Sequence, residues 1–229
     1  MIKKGKLFIS GGGKAKDSFL LDREFVNLFK NKKILYIPIG LERDFIGYEG
    51  CYDWINTTLS VHSNYPLNIT MWIDLNNKKI SDVQNFDAIY LGGGRNTYKF
   101  LQLIYDTKFY DILIDFINKG GSIYGGSAGA IIMGKNIATV SDENDNNYTC
   151  EKGFGFVGSY SLLCHYDSTQ DEKIKKYISN YKTPAIALPE NSGLVVEKNN
   201  ILVLGYSEVA IFDLKANKKF IKPNSIFIL

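Results

Sequence analysis

Residues Gly120 to Met133 read GGSIYGGSAGAIIM. Ser122-Ile123-Tyr124 is a short apolar strand that runs into Gly125 and Gly126. A lone hydroxyl follows at Ser127, and Ala128-Gly129-Ala130 opens a helix of small residues. A strand that turns sharply into a helix forces its corner residue into an unfavourable backbone conformation, and only small neighbours avoid a clash. Gly125-Gly126-Ser127-Ala128-Gly129 has the GxSxG spacing inside that strand–turn–helix context. One reading is packing, with glycines letting a helix sit tightly on a sheet. The other is chemistry. Ser127 is then a nucleophile held clear of its neighbours, with the amides and positive end of the next helix aimed at a developing oxyanion.

Working outward, short apolar runs alternate with amphipathic ones. Strands are expected at Lys6 to Ser10, Ile34 to Pro38, Ile69 to Ile73, Ala88 to Leu91 and Ser122 to Tyr124. Helical spacing covers Ser18 to Lys30, Tyr48 to Leu59, Thr97 to Ile104 and Phe109 to Asn118. This βαβα order predicts a three-layer α/β fold, a mostly parallel sheet with helices on both faces. The strands are continuous apolar runs, as strands buried on both faces are. Sites in such sheets form outside the carboxyl ends of the strands. Glycine-rich turns stand at three of those ends: Gly11 to Gly13, Gly92 to Gly94, and Gly125-Gly126. Ser141 to Asn147 reads as an exposed polar loop. After a strand at Ser161 to His165 and a helix at Gln170 to Tyr181, closely spaced strands at 185–188, 193–196, 201–204 and 209–214 predict an antiparallel edge or meander. The whole chain, 1–229, is read as one domain.

Composition narrows the function. The net charge is +3, and the lysine pairs Lys3-Lys4, Lys32-Lys33, Lys175-Lys176 and Lys218-Lys219 are scattered. No basic stripe of the kind that follows nucleic-acid phosphates is visible. No apolar run approaches a membrane span of ~18 residues. The apolar run near the N-terminus, Leu7 to Ile9, is too short for a signal peptide, so a cytoplasmic protein is expected. Three cysteines, Cys51, Cys150 and Cys164, fit a reducing compartment better than a disulfide framework. With His62 and His165 the only histidines, and no CxxC, HxH or HExxH, no metal site is expected. A homodimer through an antiparallel edge is compatible with this pattern.

A serine nucleophile needs a base. His165 ends an expected strand and should share a rim with Ser127, whereas His62 follows a helix and should face solvent. The base needs an orienting carboxylate. Asp142, Glu143, Asp145, Asp167 and Glu190 are the candidates; Glu190, after a buried strand, stands only slightly ahead of the acidic loop. The turn Gly92 to Thr97 lacks the Walker lysine and GxGxxG. It can offer backbone N–H groups to an oxyanion, or simply turn the chain.

Together LGGGRNTYKFL (Leu91 to Leu101), GGSAGAIIMG (Gly125 to Gly134), the strand-ending His165 and LPENSGLVV (Leu188 to Val196) resemble the dipeptidase E (aspartyl dipeptidase) and cyanophycinase group of serine peptidases. The resemblance runs from the first strand to the last meander. It implies a flavodoxin-like, class I glutamine amidotransferase-like fold with serine in place of cysteine in the elbow. It implies Ser127, His165 and Glu190 as catalytic residues, with Asp142 as the reserve acid. It places the oxyanion amides on Gly93 or Gly94 and on Ala128. No cofactor is implied. The chain departs from the pattern at Arg95, which looks inserted between Gly-Gly-Gly and Asn-Thr. Aspartyl dipeptidases also carry arginines after the histidine, and Tyr166 to Tyr181 has none. Arg95 and Asn96 are the candidate substrate-binding residues, since a guanidinium can take a carboxylate bidentately.

The expected function is therefore hydrolysis of a small peptide, isopeptide or amide through an acyl-enzyme. Two alternatives remain at this stage. One is an esterase using the same triad, and the other is a non-catalytic protein that binds a small ligand on the same fold.

Overall fold

The alternating residues of the first strand show how the layers form. In a computed structural model that describes residues 5–28, 33–41, 47–140 and 148–228, Lys6–Ser10 is strand β1. Leu7 and Ile9 face one core, and Phe8 faces the other. The chain continues through α1 (Ala15–Leu28), β2 (Lys33–Ile37), α2 (Gly47–Ser60), β3 (Asn68–Met71), α3 (Ile80–Val83), β4 (Ala88–Leu91), α4 (Thr97–Asp106) and α5 (Phe109–Asn118). Then come β5 (Ser122–Gly126), α6 (Ala128–Ile131), β6 (Ser161–Leu163), α7 (Asp171–Tyr181), β7 (Ala185–Ala187), β8 (Ser192–Glu197), β9 (Asn200–Gly205), β10 (Val209–Phe212), β11 (Lys218–Ile221) and β12 (Ile226–Ile228).

Eight strands form the main sheet in the order β12-β9-β8-β1-β5-β4-β2-β3. The five from β1 to β3 pair in parallel, and β8, β9 and β12 complete an antiparallel edge. The two faces are covered by different helices, as the continuous apolar strands require. Phe100, Leu101 and Ile104 of α4 and Phe109, Leu113 and Phe116 of α5 pack on one face. Leu21, Phe25 and Val26 of α1 with Cys51, Ile55 and Leu59 of α2 pack on the other. The fold is the flavodoxin-like α/β architecture expected.

The strands after residue 184 divide in a way that spacing along the chain does not predict. β8 and β9 lie on the edge of the main sheet as expected. β7 and β10 instead join β6 and β11 in a second sheet of four strands, ordered β11-β10-β7-β6. β7 pairs in parallel with β6, and Ile186 faces the main core while Ala185 and Ala187 face α7. Period-2 alternation says which side chains are buried, not which sheet buries them. The short strands β11 and β12 and the one-turn helix α3 were not anticipated, because three or four residues carry too little pattern.

One buried charge stands out on the α1 face. Asp22 is fully buried. Its carboxylate accepts from Ser18 Oγ at 2.6 Å and from the Tyr124 hydroxyl at 2.6 Å. Burial dominates over these two hydrogen bonds and pushes the Asp22 carboxyl up to about 6. A carboxyl whose pKa is raised on folding binds its proton more tightly in the native state. Its contribution to stability is complete below the unfolded pKa and is lost as pH rises through the folded one. In urea unfolding, wild type should lose about 2 kcal/mol relative to Asp22→Asn as pH rises from about 4 to about 7.

Candidate active site

Ser127 stands at the corner between β5 and α6 with φ 48° and ψ −109°, outside the usual regions for a residue with a side chain. Its N–H donates to Ser10 O at 3.3 Å, and its carbonyl accepts from Ala130 and Ile131. Gly129 allows the turn. A Cβ built there would lie 2.3 Å from Leu91 O, so only glycine lets α6 sit this close to the end of β4. α6 has four residues. It therefore supplies free first-turn amides rather than the macrodipole of a longer helix, which corrects the expected dipole contribution.

His165 reaches the same rim from the second sheet. It follows β6 rather than ending it, in the left-handed region at φ 55°. Its N–H donates to Gly11 O at 2.9 Å, and the N–H of Tyr166 donates to Leu188 O at 3.0 Å. The imidazole lies over Gly12, where a Cβ would fall 2.3 Å from its Cε1. Nε2 is 2.8 Å from Ser127 Oγ. Nδ1 is 2.8 Å from Glu190 Oε1. Glu190 follows β7 through Pro189, whose carbonyl accepts from Ser192 N–H at 3.1 Å. The structure thus brings Ser127, His165 and Glu190 into one hydrogen-bonded line. With the Ser127 hydroxyl donating to Nε2, the neutral ring carries its own proton on Nδ1, facing the carboxylate.

Gly93 lies directly beside the serine, its built Cβ 3.3 Å from Ser127 Cβ. No acceptor is found among the described residues for the N–H groups of Gly93, Gly94 and Ala128. Asn96 has a local task. It is buried, and its side chain caps α4 by accepting from Lys99 N–H at 2.9 Å. This leaves Arg95, which is exposed, as the more available of the two residues expected to touch substrate. Asp142, Glu143 and Asp145 lie outside the described residues. Asp167 caps the 3-10 turn Ser168–Gln170, accepting from Thr169 N–H at 2.8 Å. His62 packs edge-on against Phe19, ring centroids 4.5 Å apart. Burial first, and then Arg23, lowers its pKa.

Two cavities flank Ser127. One, of about 260 Å³, runs toward α1 and α2 and is lined by Ser10, Ser18, Trp54 and Tyr90. The other, of about 290 Å³, is lined by Thr97, Ile131, Thr139 and Gln170. Arg95, Gly94, Ser127 and His165 line both. Gly12 and Gly13 line the first, so the glycine turn after β1 belongs to the cleft. Ser10, Ser18 and Tyr90 were not singled out in the sequence. The only signal for them was position, at or just beyond the carboxyl ends of β1 and β4. Among the described residues no cluster of three or more His, Cys, Asp or Glu side chains is placed to hold a metal. No described helix is long and apolar enough to cross a membrane.

The sequence model of peptidase family S51 matches residues 7–204. The chain belongs to peptidase family S51. It is a serine peptidase by that membership. It is similar to Peptidase E of Actinobacillus pleuropneumoniae serotype 5b (strain L20), 24% identical over 240 residues that cover 96% of this chain and 98% of that protein. It is also similar to Peptidase E of Haemophilus influenzae (strain PittGG), 25% identical over 203 residues covering 83% and 82%. The crystal structure of a peptidase from an acI-B1 Actinobacterium shares the fold, with a TM-score of 0.73 and 18% identity over 100% of this chain and 98% of that one.

A thiol also lies near the elbow. Cys164 is buried, and its Sγ is 3.6 Å from the carbonyl oxygens of both Ser10 and Ser127. Burial pushes its pKa well above that of a free thiol, which removes the thiolate a nucleophile needs. Iodoacetamide on the folded protein should therefore label Cys164 far more slowly than Cys150, and at a comparable rate only after denaturation. Peptide mapping by mass spectrometry checks this.

Proposed function

We propose that this chain is a dipeptidase E-like hydrolase that cleaves small peptide or amide bonds through an acyl-enzyme on Ser127. The observation that carries the reading is the unbroken line from Ser127 Oγ through both ring nitrogens of His165 to Glu190, at 2.8 Å per step. Ser127 attacks the carbonyl carbon while its proton passes to His165 Nε2. The imidazolium returns that proton to the leaving amine, and the C–N bond breaks. Water then enters, gives a proton to Nε2 and attacks the ester. Collapse restores the Ser127 hydroxyl with that proton and releases the acid. Glu190 holds the Nδ1 proton, fixes the tautomer and stabilises the imidazolium.

Gly93 or Gly94 and Ala128 would supply the oxyanion donors, since their amides are unspent and the loop passes beside Ser127. Arg95, between the two cavities, fits the free carboxylate of a small peptide. The family arginines that follow the histidine are missing here, so specificity for an acidic side chain is not part of this proposal. The expected non-catalytic binder would have Ser127 and His165 apart, and the 2.8 Å contact weighs against it. Esterase activity would use the same residues, and a substrate panel separates it from peptidase activity. A cytoplasmic location is proposed from the cysteine count, three, an odd number that fits a reducing compartment better than a disulfide framework.

The test is kcat/KM on a panel of neutral dipeptides and p-nitrophenyl esters. Ser127→Ala should reduce turnover by roughly 10⁴-fold or more, with the thermal midpoint unchanged. Glu190→Gln should reduce kcat by about 10² to 10⁴-fold. Peptide turnover retained by pure Ser127→Ala protein would refute the assignment.

A further inference from the structure

The second cavity beside Ser127, of about 290 Å³, contains hydrogen-bonding groups that the proposed hydrolysis does not use. Gln170 lines it, at the start of α7. Its side chain closes a capping box on the preceding 3-10 turn, and Oε1 accepts from Asp167 N–H at 3.1 Å. That bond fixes which end of the carboxamide is oxygen. The Nε2 group then has two protons to give, and no acceptor is found for them among the described residues. Thr139 lines the cavity as well and is buried. Its hydroxyl proton goes to Leu162 O at 2.5 Å, so toward an occupant Oγ1 can only accept. Ile131, Val140 and Cys164 supply apolar wall.

The charges favour a neutral occupant. Arg95 is the one Lys or Arg side chain lining the cavity among the described residues, and its proposed partner is the free carboxylate of a small peptide. Lys173 of α7 donates from Nζ to Val140 O at 3.1 Å and does not itself line the cavity. The stretch Tyr166 to Tyr181 contains no arginine. A side-chain carboxylate here would lose water without an ion partner of its own, the costly case of burial. It would also set a lone pair against Thr139 Oγ1. An aliphatic side chain would leave Nε2 and Oγ1 without partners. A carboxamide meets both: its oxygen takes a proton from Gln170 Nε2, and its nitrogen gives one to Thr139 Oγ1.

We infer that this cavity selects a neutral carboxamide side chain of the substrate, asparagine or glutamine, read by Gln170 as donor and Thr139 as acceptor. The inference rests on the proposed peptidase role of Ser127, which borders the cavity and places that side chain next to the scissile bond. Gln170 is the specificity residue. Its own cap on Asp167 holds the carboxamide in the orientation that presents Nε2.

Calorimetric titration of Ser127→Ala protein measures binding apart from turnover. Its failure is therefore distinct from failure of the catalytic assignment, which wild-type turnover of the same peptides tests. The ligands are two series of dipeptides, X-Ala and Ala-X. X is Asn with its counterparts Asp and Leu, or Gln with its counterparts Glu and Met. In one series a carboxamide peptide should bind roughly tenfold or more tightly than both its carboxylate and its aliphatic counterpart, the effect of two hydrogen bonds kept or lost. The series that shows the gap tells which side of the scissile bond fills the cavity. Adding Gln170→Glu keeps an oxygen for Asp167 N–H and removes the Nε2 donors. The gap between carboxamide and aliphatic peptides should then shrink to less than about threefold. Gln170→Met should shrink it likewise, and decides the matter if Gln170→Glu fails to fold. Equal binding within both series, tighter binding of a carboxylate peptide, no measurable binding of any peptide, or a gap that survives both substitutions overturns the inference.

Discussion

The close approach of α6 to the ends of β4 and β5 is the constraint on which the rest of the site depends. It holds Ser127 at positive φ, a conformation that costs on the order of 1–3 kcal/mol for a residue with a side chain. The strain is held by the surroundings. The Ser127 amide is tied to Ser10 O, its carbonyl to the first turn of α6, and Gly129 lies against the Leu91 carbonyl. One consequence is directional, because Oγ stands clear of the chain and meets His165. Another is electrostatic, because the Ala128 amide is left unspent beside the Gly93 turn. A larger residue at 129 would lift α6 and lose both effects together.

The histidine depends on a different sheet. β6 and β7 belong to the four-stranded sheet, yet His165 and Glu190 are fixed relative to Ser127 within ordinary hydrogen-bond distance. The link is the glycine turn after β1. Gly11 gives its N–H to Ser192 O and takes the N–H of His165 on its carbonyl, so both segments refer to the same residue. Gly12 then leaves room for the imidazole. Side chains held by backbone hydrogen bonds from three elements have little freedom to drift, as preorganised catalysis requires.

Much of this was legible in the sequence. The parallel half of the main sheet, its helices and the elbow at Ser127 follow from apolar periodicity and glycine placement. His165 is marked by the short apolar run that leads to it, and Glu190 stands slightly ahead of the acidic loop by its place after a buried strand and well ahead only through the family resemblance. What was not legible has a common physical cause. Which sheet a strand joins depends on contacts distant along the chain, so β7 and β10 were read with the wrong neighbours. The capping role of Asn96 depends on where α4 starts, and the buried network of Asp22 depends on α1 crossing β5. A single aspartate in SFLLDREF looks like an ordinary solvated residue of a helix. Only the fold turns it inward onto Tyr124.

The central claim is that Ser127 is an activated nucleophile, and the most direct test is covalent. Wild-type protein and Ser127→Ala would be incubated with a fluorophosphonate probe and their intact masses measured, with peptide mapping of any adduct. The account predicts one adduct on wild type, mapped to Ser127, and none on the variant. Wild type left unmodified, or an adduct that maps to another residue, would contradict it.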